Sequence, residues 1–253
     1  MAISHKKSLG QNFLKDNFYL ERIINSSEVQ DSKNVIEIGP GDGALTAYIL
    51  EKTEKLVAYE IDKDLVDLLY KKFENYNVNF INKDFLDLDL REINDPSLII
   101  MGNLPYNVSS QIIINILESN IEYRHCIFLI QKELAQRFYS ESKSSKISLI
   151  AEFFSDFEIL FDIPPEAFYP EPKVTSSLVK IKRHDRFNDK KHNYITLKRI
   201  LSLCFANPRK KISNPLKNIF NFMPTFSFDI NSRPEELEIQ NYFEILSKYE
   251  EQI

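Results

Sequence analysis

The tetrapeptide Asn103-Leu104-Pro105-Tyr106 has the residue types of an amine-activating turn. It follows a strand-like stretch, Leu98–Asn103, which puts it at the carboxyl edge of a sheet, where open α/β sheets bind their ligands. The lone pair of an aromatic amine such as N6 of adenine is delocalised into its ring, so the amine is a poor nucleophile. Two acceptors aimed at its two hydrogens, the Asn103 side-chain oxygen and the Leu104 carbonyl, draw the nitrogen toward sp³ and stabilise the positive charge that grows on it during attack. Pro105 fixes φ and holds that carbonyl outward. Tyr106 offers a π face to a base taken out of its stack. The chemistry implied is methyl transfer to the amine. No strong base is needed, because the methylated aminium is acidic and loses its proton to water. Most of the rate then comes from in-line placement of the reacting atoms. The alternative for the tetrapeptide is a type I turn with a buried Tyr.

A second constellation could hold the donor. Glu37-Ile38-Gly39-Pro40-Gly41-Asp42-Gly43 follows one strand-like segment and opens a helix-like one. Gly39 and Gly41 allow a tight turn and close approach of a ligand. Glu60 ends the next strand, 21 residues after Gly39, where a carboxylate can accept both ribose hydroxyls of an adenosine ligand. The glycine spacing is GxGxG rather than the GxGxxG of a dinucleotide site, and the flanking acids Glu37 and Asp42 would repel a pyrophosphate. The loop therefore favours S-adenosylmethionine, a cationic sulfonium, over NAD. Asp84, after the third strand, can accept from an adenine amine, with Phe85 packed on the ring; taken alone, Asn82–Phe85 reads more readily as a solvated turn, and beside the other two motifs it does not.

The elements needed to position these groups are legible in order. Strands are expected at 34–39, 55–61, 78–82, 98–103 and 126–131, with helices at 42–52, 65–73, 110–119 and 134–138. This alternation argues for an α/β fold with a mostly parallel sheet covered on both faces. Strands at 155–161 and 176–183 flank a proline-rich connection and suit an antiparallel pair at the sheet edge. A polar stretch, 184–191, then reads as a linker. Helices are expected at 194–205, 214–222 and 235–248, the last with Ser232 as cap and Pro234 in its first turn. The division expected is a domain of residues 1–183 and a small all-helical domain of residues 184–253.

Apolar runs are too short to span a bilayer, and Met1–Gly10 has no apolar core of a signal peptide. Cys126 and Cys204 stand alone and read as buried small apolar residues in a reducing cytoplasm; no metal is expected. The net charge of −5 conceals an asymmetry: residues 180–217 hold 12 Lys/Arg against 2 Asp/Glu, whereas residues 1–179 hold 18 against 28. Such a belt suits a phosphate-tracking surface or, equally, a solvated helix face.

Taken together, these motifs resemble the KsgA/RsmA family of ribosomal RNA adenine dimethyltransferases. The matching segments are KKSLGQNFLKD (6–16), EIGPGDGALT (37–46), YEID (59–62), NKDFLD (82–87), MGNLPYNVSS (101–110), LIQKELAQRF (129–138) and FYPEPKVTSSLVKI (168–181), with FANPRKKISNPLKN (205–218) and RPEEL (233–237) also similar. The resemblance implies a Rossmann-like class I methyltransferase domain with a helical C-terminal domain. It implies dimethylation of two adjacent adenosines in the 3′-terminal hairpin loop of 16S rRNA within a pre-30S particle, by a cytoplasmic monomer. Cofactor contacts are implied at Asn12, Leu14, Gly39, Gly41, Glu60, Ile61, Asp84, Phe85 and Asn103, with 11–14 closing over the methionine moiety; from the residues alone that segment is an ordinary polar arm. Phe168 is implied as an aromatic wall opposite Tyr106, although from its own pattern it reads as a core residue.

The chain departs from the family pattern at Asp42-Gly43, at Asn207-Pro208-Arg209-Lys210-Lys211 and in its low pI of about 5.5. RNA contact must therefore rest on local patches, Lys6/Lys7 and Lys180 through Lys217. An erythromycin-resistance-type enzyme acting on 23S rRNA, and a non-catalytic assembly factor, are the alternatives. A DNA adenine methyltransferase would carry an Asp-Pro-Pro-Tyr-like motif and a target-recognition region, and neither is visible.

Overall fold

The computed structural model describes residues 12–93, 95–119, 121–139 and 143–252; Lys6, Lys7 and Gln11 lie outside them. The chain divides into two compact units, one of residues 1–135 and 157–183, the other of residues 136–156 and 184–253.

The first unit is built on a seven-stranded sheet. Its strands are β2 (Val35–Ile38), β3 (Leu56–Glu60), β4 (Val78–Asn82), β5 (Ile99–Asn103), β6 (His125–Gln131), β7 (Ser155–Ile163) and β9 (Ser176–Arg183), in the spatial order β4-β3-β2-β5-β6-β9-β7. Strands β2 to β6 pair in parallel, and β9 runs antiparallel to β6. β7 lies at the edge beside β9, so the two late strands do sit together there. Every residue of β2, and Ile99 through Gly102 of β5, is buried, which a strand achieves only when both faces of its sheet are covered. On one face Val35, Leu56, Ile99, Met101, Ile127 and Leu129 pack with Leu20, Ile23 and Ile24 of α1 (Asn17–Ser27) and with Leu45 and Ile49 of α2 (Ala44–Leu50). Val66 and Leu69 of α3 (Lys63–Lys72), with Phe73, form a smaller cluster with Ala58 and Phe80. Asp16 and Asp62 cap α1 and α3 by accepting the N–H of Phe18 and Asp64.

The sheet order reverses between β2 and β5. Loops leaving the carboxyl ends of these two neighbours diverge and leave a crevice. The loops are Gly39–Gly43 and Asn103–Tyr106, and the two motifs read from the sequence therefore face each other. Gly102 sets how closely they approach: a Cβ there would fall within the van der Waals shell of the Ile38 carbonyl oxygen.

One strand pairing was not expected. β1 (Phe13–Leu14) and β8 (Phe168–Tyr169) form a two-residue antiparallel ladder in which Phe13 faces Tyr169 and Leu14 faces Phe168. The N–H groups of Lys15 and Asp16 extend it by donating to the Ala167 carbonyl.

The second unit holds the end of α5 (Lys132–Tyr139), α6 (Lys146–Phe154), α7 (Tyr194–Cys204), α8 (Ser213–Ile219) and α9 (Ile239–Glu250). Phe153 of α6 packs on Phe187, Tyr194 and Phe243, and Tyr242 of α9 is fully buried near Phe205. α6 is absent from the pattern reading because its apolar run passes without a break into β7. A Ser145–Ser148 capping box starts it, and Ser155, with extended φ and ψ, ends it. The last helix also differs from expectation. Pro234 opens only a 3-10 turn, Pro234–Glu236; Leu237 is extended, and α9 begins afresh at Ile239 behind a Glu238–Asn241 capping box. The Tyr242 hydroxyl, donating to the Pro234 carbonyl at 2.8 Å, ties the turn to the helix.

The Gly102 contact gives a direct prediction. Gly102→Ala must push β5 from β2 at the site edge and should cost about 1–3 kcal/mol of unfolding free energy in urea titration. A variant as stable as the parent would mean that this approach is not tight.

Candidate active site

Gly41 sits at φ +61°, and a Cβ on it would lie 2.7 Å from the Phe13 ring. Only glycine tolerates both the left-handed backbone and the overlying aromatic. The Gly41 N–H points at Glu60, donating to Oε2 at 3.1 Å, while Oε1 accepts from the Asp62 N–H at 2.9 Å. Glu60 is thus held by two main-chain donors at the end of β3 with only 5% of its surface exposed. Burial pushes its carboxyl above the usual range, and the two N–H groups oppose that shift. On the same side of the crevice, after the neighbouring strand β4, Asp84 caps a 3-10 turn, Phe85–Asp87, by accepting the Leu86 N–H at 2.9 Å. Phe85 packs edge-on against Tyr59 at 5.8 Å between centroids, and the two rings give the cleft an apolar wall.

Beneath the glycine loop lies a mixed charge cluster. Glu37 is 1% exposed and accepts from the Thr46 hydroxyl at 2.7 Å. Burial pushes its carboxyl up to about 8, with the charge of Glu60 adding to the shift and Thr46 and Lys72 opposing it. Lys72 donates to the Asp42 carbonyl at 2.8 Å, and Lys15 is ion-paired with the Asp42 carboxylate. Burial lowers both ammonium groups; Lys72 lowers Lys15 further.

At the other loop the Asn103 carboxamide donates through Nδ2 to the Asn12 carbonyl at 2.7 Å. Its Oδ1, and the Leu104 carbonyl oxygen, accept no hydrogen bond among the described residues. The Leu104 N–H is tied to the Leu129 carbonyl at 3.1 Å, which fixes the plane of that residue. The Pro105 carbonyl accepts from Val108 and Ser109 and starts α4 (Ser109–Glu118). The half-buried Tyr106 has its hydroxyl 2.7 Å from Ser176 Oγ on β9. Burial raises its phenol further above neutrality, so it stays protonated.

The two halves border one cleft whose space, mouth included, is about 1090 Å³. Asn12, Leu14, Gly39, Gly41, Glu60 and Ile61 line it, and so do Asp84, Phe85, Asn103, Leu104, Pro105 and Tyr106. Phe168 does not. It lies opposite Leu14 in the β1–β8 ladder, 4% exposed, and packs with Leu14, Leu20, Ile163 and Leu178 in the core. Sequence reasoning had Phe13 only as part of the segment 11–14 and missed Tyr59, Thr46, Lys72 and Ser176; only the aromatic type of Tyr59, beside a motif position, could have signalled one of these. The basic belt is thinner than its composition suggests. Lys180 pairs with Glu28, Arg183 caps carbonyls at the end of α4, and Arg186 pairs with Asp156. Arg209 and Lys210 are exposed and make no ion pair among the described residues.

The model of the ribosomal RNA adenine dimethylase family matches residues 2–250. The chain belongs to this family. A ribosomal RNA small subunit methyltransferase A of Pelagibacter ubique is 37% identical over 99% of this chain and 99% of its own, and one of Coxiella burnetii is 34% identical over 95% and 96%. A crystal structure of a dimethyladenosine transferase from Plasmodium falciparum superposes with a TM-score of 0.76 at 20% identity, covering 95% of this chain and 98% of that one, so the fold is shared throughout. Family membership makes the protein an enzyme of ribosomal RNA adenine dimethylation, and methyltransferases of this kind use S-adenosylmethionine. No helix among the described residues is long and apolar enough to cross a membrane.

Glu37 makes stability depend on pH. Its folded value of about 8 stands above the ordinary 4.5, so its contribution is complete below about pH 4.5 and is lost as pH rises through about 8. Glu37→Gln should melt close to the parent at pH 5 and about 3 °C or more above it at pH 9, the shift that about 1 kcal/mol brings at this size. Parallel melting profiles would show that Glu37 is ionised in the fold.

Proposed function

We propose that the protein transfers methyl groups from S-adenosylmethionine to N6 of two adjacent adenosines in the 3′-terminal hairpin loop of 16S rRNA, acting as a cytoplasmic monomer on a pre-30S particle. One observation carries the reading. Two oxygens without a donor among the described residues, Asn103 Oδ1 and the Leu104 carbonyl, border the same cleft as the buried Glu60. Two open acceptors on adjacent residues of one cleft suit an amine bearing two hydrogens.

The residues fit the cofactor. Each Glu60 oxygen has taken one main-chain N–H and keeps lone pairs for the ribose hydroxyls. The Tyr59–Phe85 wall suits the adenine ring, and the Asp84 oxygen not used in capping suits its amine. Gly39 and Gly41 bring main chain close, and the Glu60 carboxyl bordering the cleft suits a cationic ligand better than a pyrophosphate. When bound, S-adenosylmethionine supplies the electrophilic methyl group. The chain's own part is to accept the two N6 hydrogens at Asn103 Oδ1 and Leu104 O, so that the nitrogen lone pair turns out of the ring plane toward the donor side of the cleft. The Tyr106 ring, pinned by Ser176, bears on the face of the base. The aminium formed on the substrate then loses a proton to water. For Phe168 we propose a supporting part, backing Leu14 from the core.

The names of relatives at 34–37% identity support the small subunit as substrate. Purified small and large subunits from cells lacking the modification should be offered with radiolabelled cofactor: label confined to small-subunit rRNA as N6,N6-dimethyladenosine supports the reading, and label in the large subunit overturns it. Glu60→Ala should weaken cofactor binding by roughly 1.5–3 kcal/mol, the scale for hydrogen bonds to a charged group. Unchanged affinity by calorimetry would remove Glu60 from the ribose.

A further inference from the structure

Asn103 can help to activate an amine only if its oxygen, not its nitrogen, faces the substrate. A carboxamide is nearly symmetric in shape, so sterics alone do not choose between its two orientations. We infer that the Asn12 main-chain carbonyl makes this choice and that residues 12–15 are a positioning device for the acceptor half of the site, a role beyond any contact they make with the cofactor. This rests on the function proposed above. The Asn12 oxygen, 91 residues away in sequence, accepts from Asn103 Nδ2 at 2.7 Å. Turning the amide over would set Oδ1 against another acceptor and aim an N–H at the substrate's own N–H groups. Both contacts are repulsive, and a half-satisfied polar pair in a partly dry cleft is costly.

The segment that carries the Asn12 carbonyl is itself held by the residues that follow it. The Phe13 ring rests on Gly41, where even a Cβ would clash at 2.7 Å. Phe13 and Leu14 pair with Tyr169 and Phe168, and the Lys15 N–H donates to the Ala167 carbonyl at 2.8 Å. Lys15 is ion-paired with Asp42 in the glycine loop itself. One short segment therefore touches the donor loop through Phe13 and Lys15 and the acceptor turn through Asn12. If it is displaced from the glycine loop, the restraint on the Asn103 amide goes with it, and the acceptor orientation becomes one of two.

The test uses the full-length protein and two readouts. The first is the side-chain amide signal of Asn103 in ¹⁵N-asparagine-labelled protein without cofactor or RNA, assigned by its disappearance in Asn103→Asp. It should lie downfield in the parent, as for a hydrogen-bonded N–H, and move upfield in Lys15→Gln and in Phe13→Ala, with Lys15→Arg restoring it. The second is turnover on unmethylated small subunits with cofactor and particle both saturating. The kcat of Lys15→Gln and Phe13→Ala should stay down about fivefold to tenfold, and Lys15→Arg should recover it. A kcat that returns to the parent value at saturating cofactor would mean the segment only retains cofactor, and overturns the proposal. So would an Asn103 signal that is indifferent to both variants. The amide signal is read with no substrate present, so a wrong assignment of the RNA would leave it intact while abolishing turnover of the parent itself. Phe13→Ala removes core packing; Lys15→Gln does not, and keeps the test usable if the former folds poorly.

Discussion

The structure depends on two acceptors at the carboxyl edge of the sheet that take no donor among the described residues. Buried or half-buried oxygens are normally matched with donors, and those left over mark a place where a ligand supplies the match. Here they are the Asn103 carboxamide oxygen and the Leu104 carbonyl, and the neighbouring groups serve to keep them in place. The Leu104 N–H is bound to Leu129, the Pro105 carbonyl is committed to the start of α4, and the Asn103 nitrogen is committed to Asn12. What remains is a pair of dipoles fixed before substrate arrives, the arrangement in which electrostatic stabilisation costs no reorganisation during reaction.

The donor half is set against this turn by topology. β2 and β5 are neighbours and parallel, so both loops issue from the same edge, and Gly102 lets the strands close to the contact at which Gly39 lies beside Asn103 and Pro105. The electrostatics of the two halves differ in kind. The glycine-loop side buries carboxylates, Glu37 and Glu60, whose charged forms are disfavoured until a cation offsets them. The turn side carries no formal charge on its reacting groups, only oriented dipoles and a phenol that stays protonated. A cationic donor and a neutral base are thus matched to different walls of one crevice.

Much of this was legible in the sequence because the site is assembled from short motifs at strand ends. Glu60, Asp84 and Asn103 each close a strand or directly follow one, and once the βα alternation is read, the sheet gathers them without further information. The contacts that hold the motifs in working order were not legible. Asn12 to Asn103, Lys15 to Asp42 and Tyr106 to Ser176 each join residues 27 to 91 positions apart, and nothing in local spacing announces them. β1 and β8 are two residues each, too short for a period-2 pattern. α6 escaped because its apolar run continues into β7. Phe168 shows a different limit: its own pattern says core, resemblance says substrate wall, and in the fold its ring is in the core behind Leu14. The basic belt was legible as composition, but its first residues are largely spent on ion pairs and helix carbonyls within the fold, and composition cannot reveal that.

The most direct measurement of the central claim is a crystal structure of the protein with S-adenosylhomocysteine and adenosine, both at saturating concentration. The account predicts the nucleoside base against Tyr106, with its N6 within hydrogen-bonding distance of both Asn103 Oδ1 and the Leu104 carbonyl oxygen and facing the sulfur across the cleft. A base seated elsewhere, or an N6 that meets the Asn103 nitrogen instead of its oxygen, would contradict it.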